Sequence, residues 1–151
     1  MGNSDVTLAY LAGIIDEEGC VCLAHCARKD VSAGYVTVLK LHVAMTKDTV
    51  PVWLHNIFGG NLSLSKRRFK NPKWSDAYCW QLQSIQAANL LREVRPFLKL
   101  KREQASLALE FQAVKSGRGR GKKKLPLQIE TEKGFSDRMH RLNALGGKIR
   151  T

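Results

Sequence analysis

No stretch of this 151-residue sequence approaches the run of roughly 18 apolar residues that a bilayer-spanning helix requires. The opening residues, MGNSDVT, lack a basic segment followed by an apolar one, so no secretory signal is expected there, and Val6 stands where a myristoylation pattern calls for Ser or Thr. Acid is scarce: 13 Asp and Glu face 25 Lys and Arg, leaving a formal charge of +12. A compact domain holding that much like charge repels itself, and a polyanion is the usual partner that relieves the strain. Nucleic acid is the leading candidate and an anionic membrane surface the second. The basic residues are spread along the chain and not gathered on one amphipathic helix, which argues against the membrane. Cysteines are few, and the spacing of Cys20, Cys22, Cys26 and Cys79 matches no common zinc pattern. Free thiols in a reducing, intracellular compartment are expected, with a metal site using His25 as the alternative.

What is present suits a globular protein. Hydrophobic residues make up 44%, ordinary for a folded domain and too many for a disordered chain. A chain of this length is expected to form a single domain over residues 1–151. Ser4 can cap a helix running from Asp5 to about Glu17, and Gly19 can end it as a left-handed C′ residue. Along that helix Ala9, Ala12, Gly13 and Asp16 follow helical spacing with almost no side chain, a strip on which another backbone can approach closely.

Two strands follow, Cys20 to Lys29 and Tyr35 to Thr46, joined by a turn over 30–34. In the second, Tyr35, Leu39, Leu41, Val43 and Met45 point one way and Lys40, His42, Ala44 and Thr46 the other. Asp48 opens a helix closed by Gly59 and Gly60. A second strand pair covers Asn61 to Arg67 and Asp76 to Gln83, joined by a long hairpin bearing Lys66, Arg67, Arg68, Lys70 and Lys73 with Phe69 and Trp74 among them. If Trp80 and Leu82 are core, Gln81 and Gln83 face outward; a bulge would reverse them. A helix from Ile85 to Val94 stops at Pro96. Another reaches about Val114, a basic arm covers 115–126, and a last helix spans about 127–147. The order predicts an α+β fold, with helices on one face of an antiparallel sheet and the other face free.

One segment carries more than topology. Leu11-Ala12-Gly13-Ile14-Ile15-Asp16-Glu17-Glu18-Gly19 resembles the signature of the LAGLIDADG homing endonucleases, with Ile for Leu, Glu for Ala and Glu for Asp. Val43-Ala44-Met45-Thr46-Lys47-Asp48 and Arg95-Pro96-Phe97-Leu98-Lys99-Leu100-Lys101 also look like that family, and the likeness covers about residues 5–112. The resemblance implies an αββαββα core whose saddle-shaped sheet lies on double-stranded DNA. It implies that the signature helix, through Ala9, Ala12, Gly13 and Asp16, forms a dimer interface. An acidic residue from each copy would bind metal. Glu18 stands at that metal-binding position, and the backbone carbonyl of Glu17 is the expected second donor.

The residues support this on their own. Asp16, Glu17 and Glu18 crowd a helix C-terminus, where the macrodipole disfavours negative charge by roughly 0.3–1 kcal/mol each. Stability does not ask for them there. Oxygen donors suit Mg²⁺, with Mn²⁺ a substitute and Ca²⁺ expected to support binding without cleavage. Paired ions could activate a water and stabilise a phosphodiester's leaving oxygen. Lys47 and Lys101 match positions that in the family approach the scissile phosphates, where lysine can polarise a phosphoryl oxygen or assist proton movement.

The outward sheet face offers Ala24, Arg28, Lys40, His42, Ser63, Ser65, Arg67, Gln81 and Gln83 for reading base edges in a major groove. The hairpin residues Arg68 and Lys70 and the arm residues Arg118, Arg120, Lys122 and Lys123 are expected to touch phosphates, which position without specifying. One motif means half an active site, so a homodimer on a nearly palindromic site is implied; the resemblance to the family implies a cut in each strand that leaves staggered ends. No small-molecule substrate is implied. The departures cut the other way: Glu18 is a methylene longer than the usual Asp, and Glu17 is charged where the family has a small residue. A third cation or Lys47 could absorb that charge. Otherwise the chain is a non-cleaving DNA- or RNA-binding protein on the same fold, a maturase or a regulator.

Overall fold

The computed structural model describes residues 3–31, 34–117 and 125–148. The first helix, α1 (Asp5–Glu18), begins where the Ser4 hydroxyl accepts the Thr7 backbone N–H at 3.2 Å. It leads directly into β1 (Gly19–Ala27), which turns back into β2 (Tyr35–Met45). Helix α2 (Thr49–Phe58) separates these from β3 (Asn61–Ser65) and β4 (Ala77–Gln83). Then come α3 (Ser84–Val94), a single 3₁₀ turn at Arg95–Phe97 containing Pro96, α4 (Arg102–Gly117) and α5 (Pro126–Lys148). The fold is α+β, as the hydrophobic periodicity predicts.

The four strands form one antiparallel sheet in the order β1-β2-β4-β3. Strict alternation sorts its residues. Val21, Leu23, Leu39, Leu41, Val43, Trp80 and Leu82 are buried on one face, where Leu8, Leu11, Ala12 and Ile15 of α1 join them with Leu91 and Val94 of α3 and Ala105, Ala108 and Phe111 of α4. Trp80 and Leu82 are therefore core, no bulge intervenes, and Gln81 and Gln83 lie on the opposite face. The Trp80 indole N–H donates to the Gly59 carbonyl at 2.7 Å, so its one polar group is satisfied inside the core.

Two glycines set the chain's path for different reasons. Gly60 turns at a φ of +89°, and a Cβ there would stand 2.6 Å from the Gln81 carbonyl oxygen, so both conformation and space require glycine. Gly19 differs from its expected role as a left-handed cap. Its φ is −87° and ψ 162°, already strand-like, so conformation does not demand glycine. Space does: a Cβ would lie 2.7 Å from the Ile15 Cα. Helix passes into strand without a linker, and that corner has no room for a side chain.

The last helix packs on the body of the protein. Met139 is buried in the common core, and Phe135 meets Phe111 of α4 edge-on at 5.8 Å between centroids. Asn143 donates its amide N–H to the Val21 carbonyl of the edge strand β1 at 3.0 Å. Among the described residues no helix is long and apolar enough to cross a membrane.

Candidate functional site

The acidic end of α1 is where the fold gathers its charge. Glu17 and Glu18 are exposed at the last turn, while Asp16 is half-buried. Asp16 is engaged within its own chain. Its carboxylate accepts the backbone N–H groups of Lys99, Leu100 and Lys101 at 2.9, 3.2 and 3.0 Å, tying the turn before α4 to the end of α1. A carboxylate at a helix C-terminus is unfavourable against the helix dipole, and three amide donors offset that. The tie also places the Lys101 side chain. Its ammonium donates to the Ile15 carbonyl at 2.9 Å and to the Gly19 carbonyl, beside the last turn of α1. The Ile15 carbonyl also accepts the Gly19 backbone N–H, so the cation adds a second donor at the helix end, beside the turn that carries Glu17 and Glu18. Lys47 is exposed in the bend between β2 and α2.

The expected strip of small residues is divided. Ala9 and Gly13 are exposed, but Ala12 is 1% exposed and faces the sheet as part of the core. The correction is one of helical phase: the outward stripe of α1 runs Val6, Ala9, Tyr10, Gly13 and Glu17, with Ala12 and Asp16 on its inward flank. Val6 is 82% and Tyr10 55% exposed, large apolar groups in water. A Cβ on Gly13 would meet nothing within 4 Å, so packing inside this chain gives no reason for a glycine in mid-helix. Glycine there costs about 1 kcal/mol relative to alanine.

The open face of the sheet is organised in rows across the strands. Cys20, His42, Gln81 and Asn61 form one; Cys22, Lys40 and Gln83 the next; Ala44, Cys79 and Ser63 a third. Ala24 stands opposite Val38, and Ser65 ends β3 exposed. Ala24, Lys40, His42, Ser63, Ser65, Gln81 and Gln83 thus share a surface, as their parity predicts. Asn61 and the four cysteines share it too. The same alternation marks Cys20 and Cys22, since Val21 and Leu23 between and beside them are core.

Arg28 lies just beyond the strands of that face. Strand β1 ends at Ala27, and the guanidinium binds the Asp30 carboxylate within its own turn, which lowers the Asp30 pKa and raises that of Arg28. In the connection between β3 and β4, Arg67 donates from Nε to the Ser75 carbonyl at 3.0 Å, bracing the loop. Lys66, Lys70 and Lys73 are exposed along it with Phe69 and Trp74, and the backbone of Arg68 lies in its 3₁₀ turn. Arg118, Arg120, Lys122 and Lys123 lie outside the described residues.

The thiols of the open face perturb one another. Hydrogen bonding from the Cys22 thiol, then from His42, pulls the Cys20 pKa far below the ordinary thiol value, while the same contact with Cys20 and burial push Cys22 up. Burial alone raises Cys79. All four cysteines are free.

No family model matches this chain, and no curated protein matches it by sequence. Solved structures do match. The homing endonuclease I-CvuI in complex with its target is 22% identical, the alignment covering 91% of this chain and 82% of that one with a TM-score of 0.69. The homing endonuclease I-TnaI is 17% identical over 99% of this chain and 100% of that one, TM-score 0.61. The LAGLIDADG homing endonuclease I-LtrWI, bound to target DNA, is 13% identical, with a TM-score of 0.69. There the match covers 91% of this chain but 45% of that one, so this chain spans less than half of its length. At such identities the likeness is one of fold: the chain has the LAGLIDADG homing endonuclease fold.

Proposed function

We propose that this protein is a site-specific DNA endonuclease that acts as a homodimer, each chain supplying half of a metal-dependent active site. The observation that carries the proposal is the junction of three features at the end of α1. Exposed Glu17 and Glu18 lie where stability opposes them, the outward stripe ending in Glu17 is apolar or side-chain-poor, and the Lys101 ammonium is fixed alongside. Two α1 helices packed along Val6, Ala9, Tyr10 and Gly13 would bring both acidic ends to one dyad. The open sheet faces would then lie side by side, which suits a long, nearly palindromic DNA site.

The donors fit a hard divalent ion. Glu18 offers an exposed carboxylate, and the Glu17 carbonyl belongs to the last turn, where no intrahelical donor follows. An all-oxygen set of this kind suits Mg²⁺, with Mn²⁺ as a substitute. Bound there, the metal would supply an activated water and charge stabilisation at the leaving oxygen of each strand's phosphodiester. The chain's own part is positional. Asp16 fixes the backbone of Lys101, so its ammonium is held without a search at the moment a phosphoryl oxygen gains charge. Lys40, His42, Gln81, Gln83 and Asn61 face the base edges, and the cations of the β3–β4 connection meet phosphates. The staggered ends expected of the cuts rest on the resemblance of the signature segment to the LAGLIDADG endonucleases.

Glu17 also favours a second reading, since it places two like charges near the proposed dyad: selective binding without cleavage, as in a maturase or regulator. Incubating a randomised palindromic DNA library with the protein and Mg²⁺, beside Glu18→Gln and a Ca²⁺ control, separates the two. Defined double-strand cuts are expected, lost in the variant and in Ca²⁺ while binding persists. A dimer that selects DNA but cuts under no metal would overturn the nuclease reading.

A further inference from the structure

The open face holds a second donor set of a different chemical kind. Cys20 and Cys22 are two residues apart on β1 and so share a side of the sheet, and the register sets His42 of β2 opposite Cys20. One ligand atom from each, two Sγ and a ring nitrogen, lie within 4.8 Å of one another. All three residues are half-buried, shielded from bulk water but reachable. The proposed cleavage uses none of the thiols. The fold asks for none either, since Ala24, Ala44 and Ser63 fill equivalent places on the same face.

Two thiolates and an imidazole make a soft donor set, unlike the all-oxygen set at the end of α1. Zinc-type ions sit about 2.3 Å from sulfur and 2.0–2.1 Å from nitrogen in a tetrahedron, so two sulfurs and a nitrogen stand roughly 3.5–3.8 Å apart. The present separations, none above 4.8 Å, exceed that by at most about 1 Å, a gap small enough for rotations about the Cα–Cβ bonds to close while the strands stay paired. The charges also balance: Lys40 stands across from Cys22, and two thiolates would neutralise one dication. Three protein ligands leave one tetrahedral corner open.

We propose that Cys20, Cys22 and His42 bind one soft divalent ion of the Zn²⁺ class per chain, with its fourth position open on the exposed face of the sheet. The site shares His42 with the face proposed to read base edges, but its test needs neither DNA nor cleavage. It differs also from a metal centre built on His25, whose Nδ1 lies 3.3 Å from the Thr37 hydroxyl and whose ring packs against Tyr35.

Titration of the reduced full-length protein with Co²⁺, followed by absorbance, tests it. A thiolate-to-cobalt charge-transfer band in the near ultraviolet is expected, with the visible bands of a four-coordinate ion, saturating at one Co²⁺ per chain. Stoichiometric Zn²⁺ should abolish the bands and excess Mg²⁺ should not, which separates this site from oxygen donors elsewhere. Losing a group that merely orients a ligand costs about 10–100-fold in metal affinity, so Cys22→Ser and His42→Ala should each cost at least that. Cys26→Ser and Cys79→Ser should bind as the parent does. Circular dichroism confirms that each variant is folded. The proposal is overturned if folded protein gives no charge-transfer band, if saturation comes at one ion per two chains, or if the band survives His42→Ala but goes with Cys26 or Cys79.

Discussion

The two faces of the sheet come from one alternating pattern and obey different rules. Along β2, Leu39, Leu41 and Val43 are fully buried, while Lys40 and His42 between them remain half-exposed on the other side. The covered face is specified by volume: each residue fills space left by α1, α3 or α4, and a change of one methylene is felt. The open face carries no such demand. Its lysine, histidine, glutamines and cysteines add little to folding, so their reason for being there must be sought in what they bind.

That contrast can be broken from either side. Replacing Trp80 with Ala removes the largest core side chain and the hydrogen bond to Gly59, and should cost about 3–5 kcal/mol in urea unfolding. A smaller loss would mean that the core closes over the gap. Asp16→Ala leaves three backbone N–H groups without their acceptor, and a cost of about 1–3 kcal/mol is expected. Gly13→Leu should do the reverse to the single chain, gaining up to about 1 kcal/mol of helix propensity. The same substitution should drive sedimentation toward the monomer, and a dimer that survives it would remove α1 from the interface. Smallest of all for the fold is Lys40→Ala, which should shift stability by no more than about 0.5 kcal/mol. On DNA, as a base-edge contact, it should cost about 1–3 kcal/mol of affinity and relax sequence preference at one position; unchanged affinity and preference would detach the open face from DNA.

Periodicity made most of the architecture legible. The caps at Ser4 and Gly59, the stop before Pro96 and the alternation through β2 and β4 are local signals, each decided by a few neighbouring residues. What escaped is what only assembly decides. Gly19 is fixed by the nearness of Ile15, and helical spacing alone does not separate the inward phase of Ala12 from the outward phase of Gly13. Asp16 sits beside two other acids in the chain, yet its role comes from a turn more than eighty residues away. The pairing of Cys20 with His42 is likewise a matter of strand register, invisible to a search for ligand spacing along the chain.

Strand β1 closes one side of the sheet, and such a margin invites neighbouring chains to add strands of their own. Asn143 places an amide on the Val21 carbonyl of that margin, in a helix anchored by Met139. The final helix therefore acts as a guard rail on this margin, hindering the addition of a further strand beside β1, whereas β3 at the opposite margin stays largely exposed.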